Sequence, residues 1–195
     1  VIVLGAREGR FSKSGETKSL VPFAASSIPL VTLGTFLLWF GWFGFNGFSQ
    51  LAMGTFDDVN AISKIAVNTH LAGAAGTVAA AVVTRLLGGK TDIVMMLNGA
   101  LAGLVAITAE PLTPSPVLAI VIGAIGSLIM YFGTKFLESK KIDDVVGAIP
   151  AHMFAGIFGT LVVPISNPDT NFGTQLTGVI AVCLFSFILS YITFR

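Results

Sequence analysis

Charged residues in this chain border long stretches that contain none. Six charge-free windows run between Lys18 and Asp57, Lys64 and Arg85, Asp92 and Glu110, Glu110 and Lys135, Asp144 and Asp169, and Asp169 and Arg195. Each window is about as long as a membrane-spanning helix, which needs roughly 17–25 mostly apolar residues. Only 11% of the residues are charged, against roughly 25% in soluble domains. The composition therefore excludes a disordered chain, a nucleic-acid-binding surface and an ordinary soluble enzyme.

The strands of a membrane barrel are roughly 10 residues long and alternate apolar with polar residues. The apolar runs of this chain are longer and show no such alternation. We therefore predict an all-α polytopic membrane protein with six full transmembrane helices, at about 27–50, 60–87, 92–109, 115–138, 144–164 and 172–194. The apolar stretch 1–5 predicts the end of a seventh helix, because basic residues follow it. We interpret 1–195 as one transmembrane domain of a longer protein whose N-terminal part is missing.

The basic residues fall almost entirely into one of the two sets of alternating loops. One set holds ten of the eleven Lys and Arg residues, whereas the other holds only Lys64 together with acidic residues. Because cytoplasmic loops carry the excess of Lys and Arg, we predict a multi-pass protein of the cell (cytoplasmic) membrane. The segment 6–25 is then a cytoplasmic loop, and Arg195 lies on the same side.

The first span carries seven aromatic residues between positions 36 and 48. Helical spacing places Leu38, Trp42, Phe45 and Ser49 on one face. One interpretation is an aromatic belt at the membrane interface combined with ordinary packing. The other is a cation site at a pore mouth, because aromatic faces attract cations and a serine hydroxyl accepts hydrogen bonds.

Two histidines lie inside the spans. Ionisable residues within a membrane are costly and are functional candidates by default. His152 follows Pro150, which removes a backbone donor and can bend the helix, so we favour a functional role over a contact with a neighbouring helix. His70 has no proline or aromatic residue beside it in the sequence, and we predict a structural polar contact.

Other polar residues in the spans have features that are typical of structural roles. Asp143 and Asp144 open the fifth span and predict helix anchoring, because carboxylates favour helix N-termini. Asn98 and Thr108 lie near the two ends of the third span and are either pore-lining or structural. Glycines such as Gly99 and Gly103 predict closely packed helices.

The sequence contains no recognisable catalytic, nucleotide-binding or metal-ligand motif, so we predict no enzyme activity, cofactor or metal. The one cysteine, Cys183, lies in an apolar run and predicts a buried thiol.

Four motifs in this order resemble the ammonium transporter family (Amt/Mep/Rh): Gly41–Gly47, Asn98–Thr108, the pair Asp143 and Asp144, and Pro150–His152. The resemblance covers nearly the whole chain. In the eleven-helix fold of the family, this chain corresponds to the stretch from the end of span five to span eleven. It implies transport of ammonium or ammonia through a hydrophobic pore, with recruitment and deprotonation of ammonium at the outer mouth. It also implies a homotrimer and contact with PII-class regulators at the cytoplasmic face.

The resemblance implies individual roles. Phe45 matches a gate phenylalanine, Ser49 matches the serine of the external ammonium site, and His152 matches the second of two pore histidines. Trp42, on the same face of the first span, is then expected at the mouth beside Phe45 and Ser49. Because the matching first half is missing, we expect Phe45, Ser49 and His152 to line an open groove.

Three residues depart from the family pattern and predict a narrowed pore or an altered mouth. Met153 and Phe48 stand where small residues are usual, and Val145 stands where proline is usual. Two alternative functions stay open. One is an ammonium sensor module of the same fold fused to a signalling domain. The other is an unrelated structural protein in which His152 faces a neighbouring helix.

Overall fold

The computed structural model describes residues 1–11, 23 and 25–195, and within this part of the chain it is helical and contains no strand. The α-helices are α1 (Ile28–Phe48), α2 (Phe56–Gly88), α3 (Ile93–Thr108), α4 (Pro116–Ser139), α5 (Ala155–Val162) and α6 (Phe172–Phe194). The all-α prediction is confirmed. Most of the predicted loop 6–25, including Lys13 and Lys18, lies outside the described residues.

Four of the described helices, α1, α2, α4 and α6, are long and apolar enough to cross a membrane. Helix α3 has 16 residues, and the apolar segment around α5 is also short. Each of the six predicted spans thus corresponds to a helical segment, but the third and the fifth are short apolar helices of fewer than 18 residues. Helix α2 is longer than predicted because Thr55 and Asp58 form a capping box that starts it at Phe56.

Helices α2, α3 and α4 pack backbone against backbone at small residues. A methyl group on either Gly103 of α3 or Gly123 of α4 would overlap the carbonyl oxygen of Ala72 in α2. Gly159 of α5 meets the backbone of Ala106 in α3 in the same way. This is the close packing that the small-residue pattern predicts, since lipid-embedded helices associate through such contacts.

The fifth helical segment begins later than predicted. A single π-helical turn, Ile149–Phe154, leads into α5, and a 3₁₀ turn, Val163–Ile165, ends it. Asp143 and Asp144 therefore precede the helix instead of lying in its first turn. Gly147 has a φ of 76°, a conformation that glycine adopts without steric cost, and there the loop turns into the helix.

Candidate functional site

Trp42 connects α1 to α3 at one end of the bundle. Its indole Nε1 donates a hydrogen bond of 2.7 Å to Thr108 Oγ1. The Thr108 hydroxyl donates in turn to the Leu104 carbonyl oxygen at 2.7 Å, so its lone pairs face the indole. Trp42 is therefore held in one orientation by the last turn of α3.

Phe45 and Ser49 lie beyond Trp42 along α1. The Phe45 ring is 6.2 Å from the Trp42 ring and meets it edge-on, and Phe45 is 65% exposed. Ser49 Oγ donates to the Phe45 carbonyl oxygen at 2.9 Å. Because its one hydroxyl proton is used in this way, the exposed Ser49 oxygen can only accept hydrogen bonds from a further group. Leu38, on the same side of α1, is also exposed.

Helix α3 joins this end of α1 to the segment that carries His152. Val105 lies one helical turn before Thr108, and its side chain contacts Gly156 of α5. Gly156 in turn lies one turn after His152. Trp42 of the predicted mouth and the turn that carries His152 thus both pack against α3, although they are far apart in sequence.

His152 lies in the π-helical turn and is exposed. It lines a cavity of about 1130 Å³ between α5, α6 and the first residues of the chain. Among the described residues that line this cavity, none is Asp, Glu, Lys or Arg. Phe45 and Ser49 are exposed but do not line it. Cys183 lies half-buried on the cavity wall, whereas the sequence predicted a buried thiol.

Two polar side chains support the turn that carries His152. The Asp144 carboxylate accepts hydrogen bonds from the backbone N–H groups of Ala148 at 3.1 Å and Ile149 at 2.7 Å. Asn98 Nδ2 donates to the Val146 carbonyl oxygen at 3.0 Å. The carboxylate thus satisfies N–H groups at the start of the helix, which lack partners within it, and α3 holds the preceding loop.

Asp143 is 4% exposed and binds the N-terminal segment of the chain. Arg7 donates to it through its backbone N–H at 3.0 Å, Nε at 2.7 Å and Nη2 at 2.8 Å. Arg10 Nε lies 3.4 Å from Asp143 Oδ1. The hydrogen bonds from Arg7 lower the pKa of Asp143 to about 2 against the opposing effect of burial. Sequence reasoning missed this pairing, because nothing local links residues 136 positions apart.

In the sequence, His70 has no aromatic residue beside it. In the structure, two aromatic rings lie close to it. Its ring lies 5.5 Å from Trp39 and 6.2 Å from Phe43, both on α1, and the residue is exposed. Trp39 and Phe43 of α1 therefore pack against α2 at His70. His70 lies outside the cavity that His152 lines.

Within the described residues, no group of three or more His, Cys, Asp or Glu side chains is arranged to hold a metal ion.

The Ammonium Transporter Family model matches residues 1–195. The chain is 42% identical to ammonium transporter Amt2 of Archaeoglobus fulgidus over 177 residues, which are 91% of this chain and 36% of that protein. It superimposes on a structure named Sensor Amt Protein with a TM-score of 0.89 at 35% identity, covering 99% of this chain and 49% of the other. With Mep2 of Candida albicans the TM-score is 0.80 at 27% identity, covering 89% and 42% of the two chains. The chain thus spans between about a third and a half of these relatives.

Proposed function

This chain belongs to the Ammonium Transporter Family, and from this membership we propose that it forms part of a membrane protein that transports ammonium or ammonia. The observation that carries the proposal is His152, an imidazole on the wall of a cavity whose described lining contains no Asp, Glu, Lys or Arg. An ionisable residue within a membrane is costly, so a histidine in such a place is by default a functional candidate on a substrate pathway.

The mouth residues suit recruitment of ammonium. The Trp42 and Phe45 rings offer aromatic faces that attract a small cation, and the hydrogen bond to Thr108 keeps the Trp42 ring in place. The Ser49 oxygen acts only as an acceptor toward a ligand, because its proton goes to the Phe45 carbonyl. Ammonium, which only donates hydrogen bonds, fits this combination.

The apolar cavity favours passage of the neutral species. An isolated charge moved from water into an apolar environment costs far more than a neutral polar molecule does. Ammonium recruited at the exposed mouth would therefore transfer its proton to water there and continue as ammonia. The neutral imidazole of His152 has one donor and one acceptor nitrogen, so it can form a hydrogen bond with ammonia in either direction.

We assign supporting roles to four further residues. Asp144 and Asn98 hold the turn that carries His152, and Asp143 anchors the loop before it to Arg7. Leu38 extends the exposed face of α1 along the transport path.

The assembly and location follow from the same assignment. We place the protein in the cytoplasmic membrane with 6–25 and Arg195 on the cytoplasmic side. The exposed apolar surfaces of α1 and α6 are available for contacts in a homotrimer. A PII-class regulator would bind at the cytoplasmic face. Native mass spectrometry of the full-length protein, with and without a PII-class protein, tests both associations.

The experiment that tests the transport function uses the full-length protein reconstituted in liposomes. We expect wild type to take up ammonium, and His152→Ala to abolish or deregulate uptake. His70→Ala is the matched control, because His70 lies outside the cavity, and we expect it to transport normally. Normal uptake by His152→Ala would contradict the role of His152.

The likeness to the structure named Sensor Amt Protein favours one second candidate, an ammonium sensor module fused to a signalling domain. The sequence that follows Arg195 in the full-length protein distinguishes the two functions. A signalling domain there, together with ammonium binding but no uptake, would identify a sensor.

A further inference from the structure

We propose that Asn46 is a positioning residue for the outer mouth, because its bond to α2 fixes the rotation of the end of α1; this inference rests on the proposed transport function. Asn46 is 1% exposed, and Thr69 of α2 is fully buried. Asn46 Nδ2 donates a hydrogen bond of 2.9 Å to Thr69 Oγ1. A buried bond between two helices thus lies directly beside the residues proposed to recruit ammonium.

The two mouth residues at the end of α1 have little support of their own. Phe45 is 65% exposed, and its described ring contact is with Trp42 on the same helix. The Ser49 hydroxyl donates to the Phe45 carbonyl oxygen, which also belongs to α1. The positions of Phe45 and Ser49 therefore depend on how the last turns of α1 are rotated toward the rest of the bundle.

Asn46 lies where it can set this rotation. It directly follows Phe45, and its carbonyl oxygen accepts a hydrogen bond of 3.2 Å from the backbone N–H of Ser49. With 3.6 residues per helical turn, Asn46 lies about 100° from Phe45 and about 60° from Ser49 around the helix axis. A rotation that moved the Asn46 side chain out of its place would therefore turn both mouth residues by the same angle.

The link between Asn46 and α2 is a single directional contact. Within the described residues, Asn46 Oδ1 has no hydrogen-bond partner, so the amide is held through Nδ2. Ile62 of α2 lies beside Gly47, but an apolar contact is non-directional. The bond from Gln50 to Asp58 is longer, at 3.3 Å, and lies beyond the last residue of α1.

A second side-chain hydrogen bond shows why the first is needed. Trp42, one helical turn before Asn46, donates to Thr108 of α3. Two bonds to two different helices define the rotation of α1 at its end. The Trp42 bond alone would let the last turn pivot about α3.

Loss of the acceptor should release this rotation. Thr69→Val keeps a similar shape but leaves Asn46 Nδ2 buried without a partner, which costs more than a hydrogen bond contributes on balance. Asn46 is then more stable when it turns toward water, and the mouth residues turn with it. One hydrogen bond shifts an equilibrium by roughly 2–10-fold. We therefore expect the half-saturating ammonium concentration to rise by about 2–10-fold, with maximal uptake unchanged because His152 and its cavity are untouched.

The test measures uptake against ammonium concentration with the full-length protein in liposomes. Thr69→Ser keeps the acceptor oxygen and should keep the wild-type half-saturating concentration. Thr35→Val is the matched control, because Thr35 is also buried but its hydroxyl bonds to the Val31 carbonyl oxygen within α1; it should keep the wild-type value. Asn46→Ala should act like Thr69→Val, and the two substitutions combined should have little more effect than either one, as in a double-mutant cycle.

The results distinguish this inference from the function on which it rests. An unchanged half-saturating concentration in Thr69→Val overturns the inference but leaves transport intact. So does a rise that Thr69→Ser or Thr35→Val shares, or one that adds fully to the effect of Asn46→Ala. If Thr69→Val does not fold, Asn46→Ala decides, and a wild-type half-saturating concentration there overturns the inference. Failure of the wild type to transport ammonium refutes the proposed function itself.

Discussion

Replacing Asp143 by asparagine should destabilise the full-length protein by about 2 kcal/mol at neutral pH. The carboxylate is 4% exposed and accepts three hydrogen bonds from Arg7. Its pKa falls from 3.8 to about 2 in the folded protein. Since each pKa unit corresponds to 1.36 kcal/mol, the difference between the two values gives the expected loss.

The direction of the pH dependence follows from the lowered pKa. The folded protein binds the proton of Asp143 less readily than the unfolded chain does, so the contribution is fully present above the unfolded pKa. It is lost as the pH falls from about 4 to about 2. The asparagine variant has no such group, so the difference between the two proteins should shrink over the same range.

The assay is unfolding by SDS titration in mixed micelles, repeated between neutral pH and pH 3. Lys135→Gln is the matched control, because it breaks an exposed ion pair with Glu138 at 3.2 Å, and such pairs contribute about 0–1 kcal/mol. Equal stability of Asp143→Asn and wild type at neutral pH would refute the reasoning. So would a difference that does not change with pH.

Three further substitutions test the packing and the site. Gly123→Leu should destabilise the bundle by about 1–3 kcal/mol or more, measured by the same titration, because its side chain overlaps the backbone of Ala72. Thr108→Val should cost about 1 kcal/mol by removing the acceptor for Trp42 Nε1, and the indole fluorescence should change. Asp144→Ala should cost about 0.5–2 kcal/mol by leaving helix N–H groups without a partner, and ammonium uptake should fall.

Each of these three substitutions has a control variant or a result that would contradict its prediction. Gly41→Ala is the control for Gly123, because nothing lies within 4 Å of a methyl group at Gly41. Full stability of Gly123→Leu would mean that α2 and α4 are not in backbone contact. Unchanged fluorescence of Thr108→Val in a Trp39→Phe background would contradict the Trp42 hydrogen bond. Wild-type uptake by Asp144→Ala would show that the turn carrying His152 needs no cap.

The helices could be predicted from the sequence because the length of an apolar stretch is a property of the chain alone. Charge-free windows mark where a backbone can lie in lipid, and the helical segments follow these windows. The early start of α2 was also encoded locally, in the capping box of Thr55 and Asp58. The prediction did not use this signal and placed the start at about residue 60.

The contacts between distant residues could not be predicted, because many partners of the same type compete. Any basic residue on the predicted cytoplasmic side could have paired with Asp143, and only the fold selects Arg7. The aromatic neighbours of His70 belong to α1 and approach it only when the two helices cross. Spacing along one helix does not determine which of its faces meets another helix.

The π-helical turn shows how a local signal can be correct and still incomplete. Pro150 predicts a disturbed helix, because proline removes a backbone donor, but it is equally compatible with the first turn of an ordinary helix. The preceding loop determines which of these two structures forms, because Gly147 turns the chain and the Asp144 carboxylate accepts a hydrogen bond from the N–H of Ile149. The direction of His152 is therefore set by residues that precede it by several positions. Because Asp143 in the same loop is held by Arg7, the site around His152 depends on a segment at the opposite end of the chain.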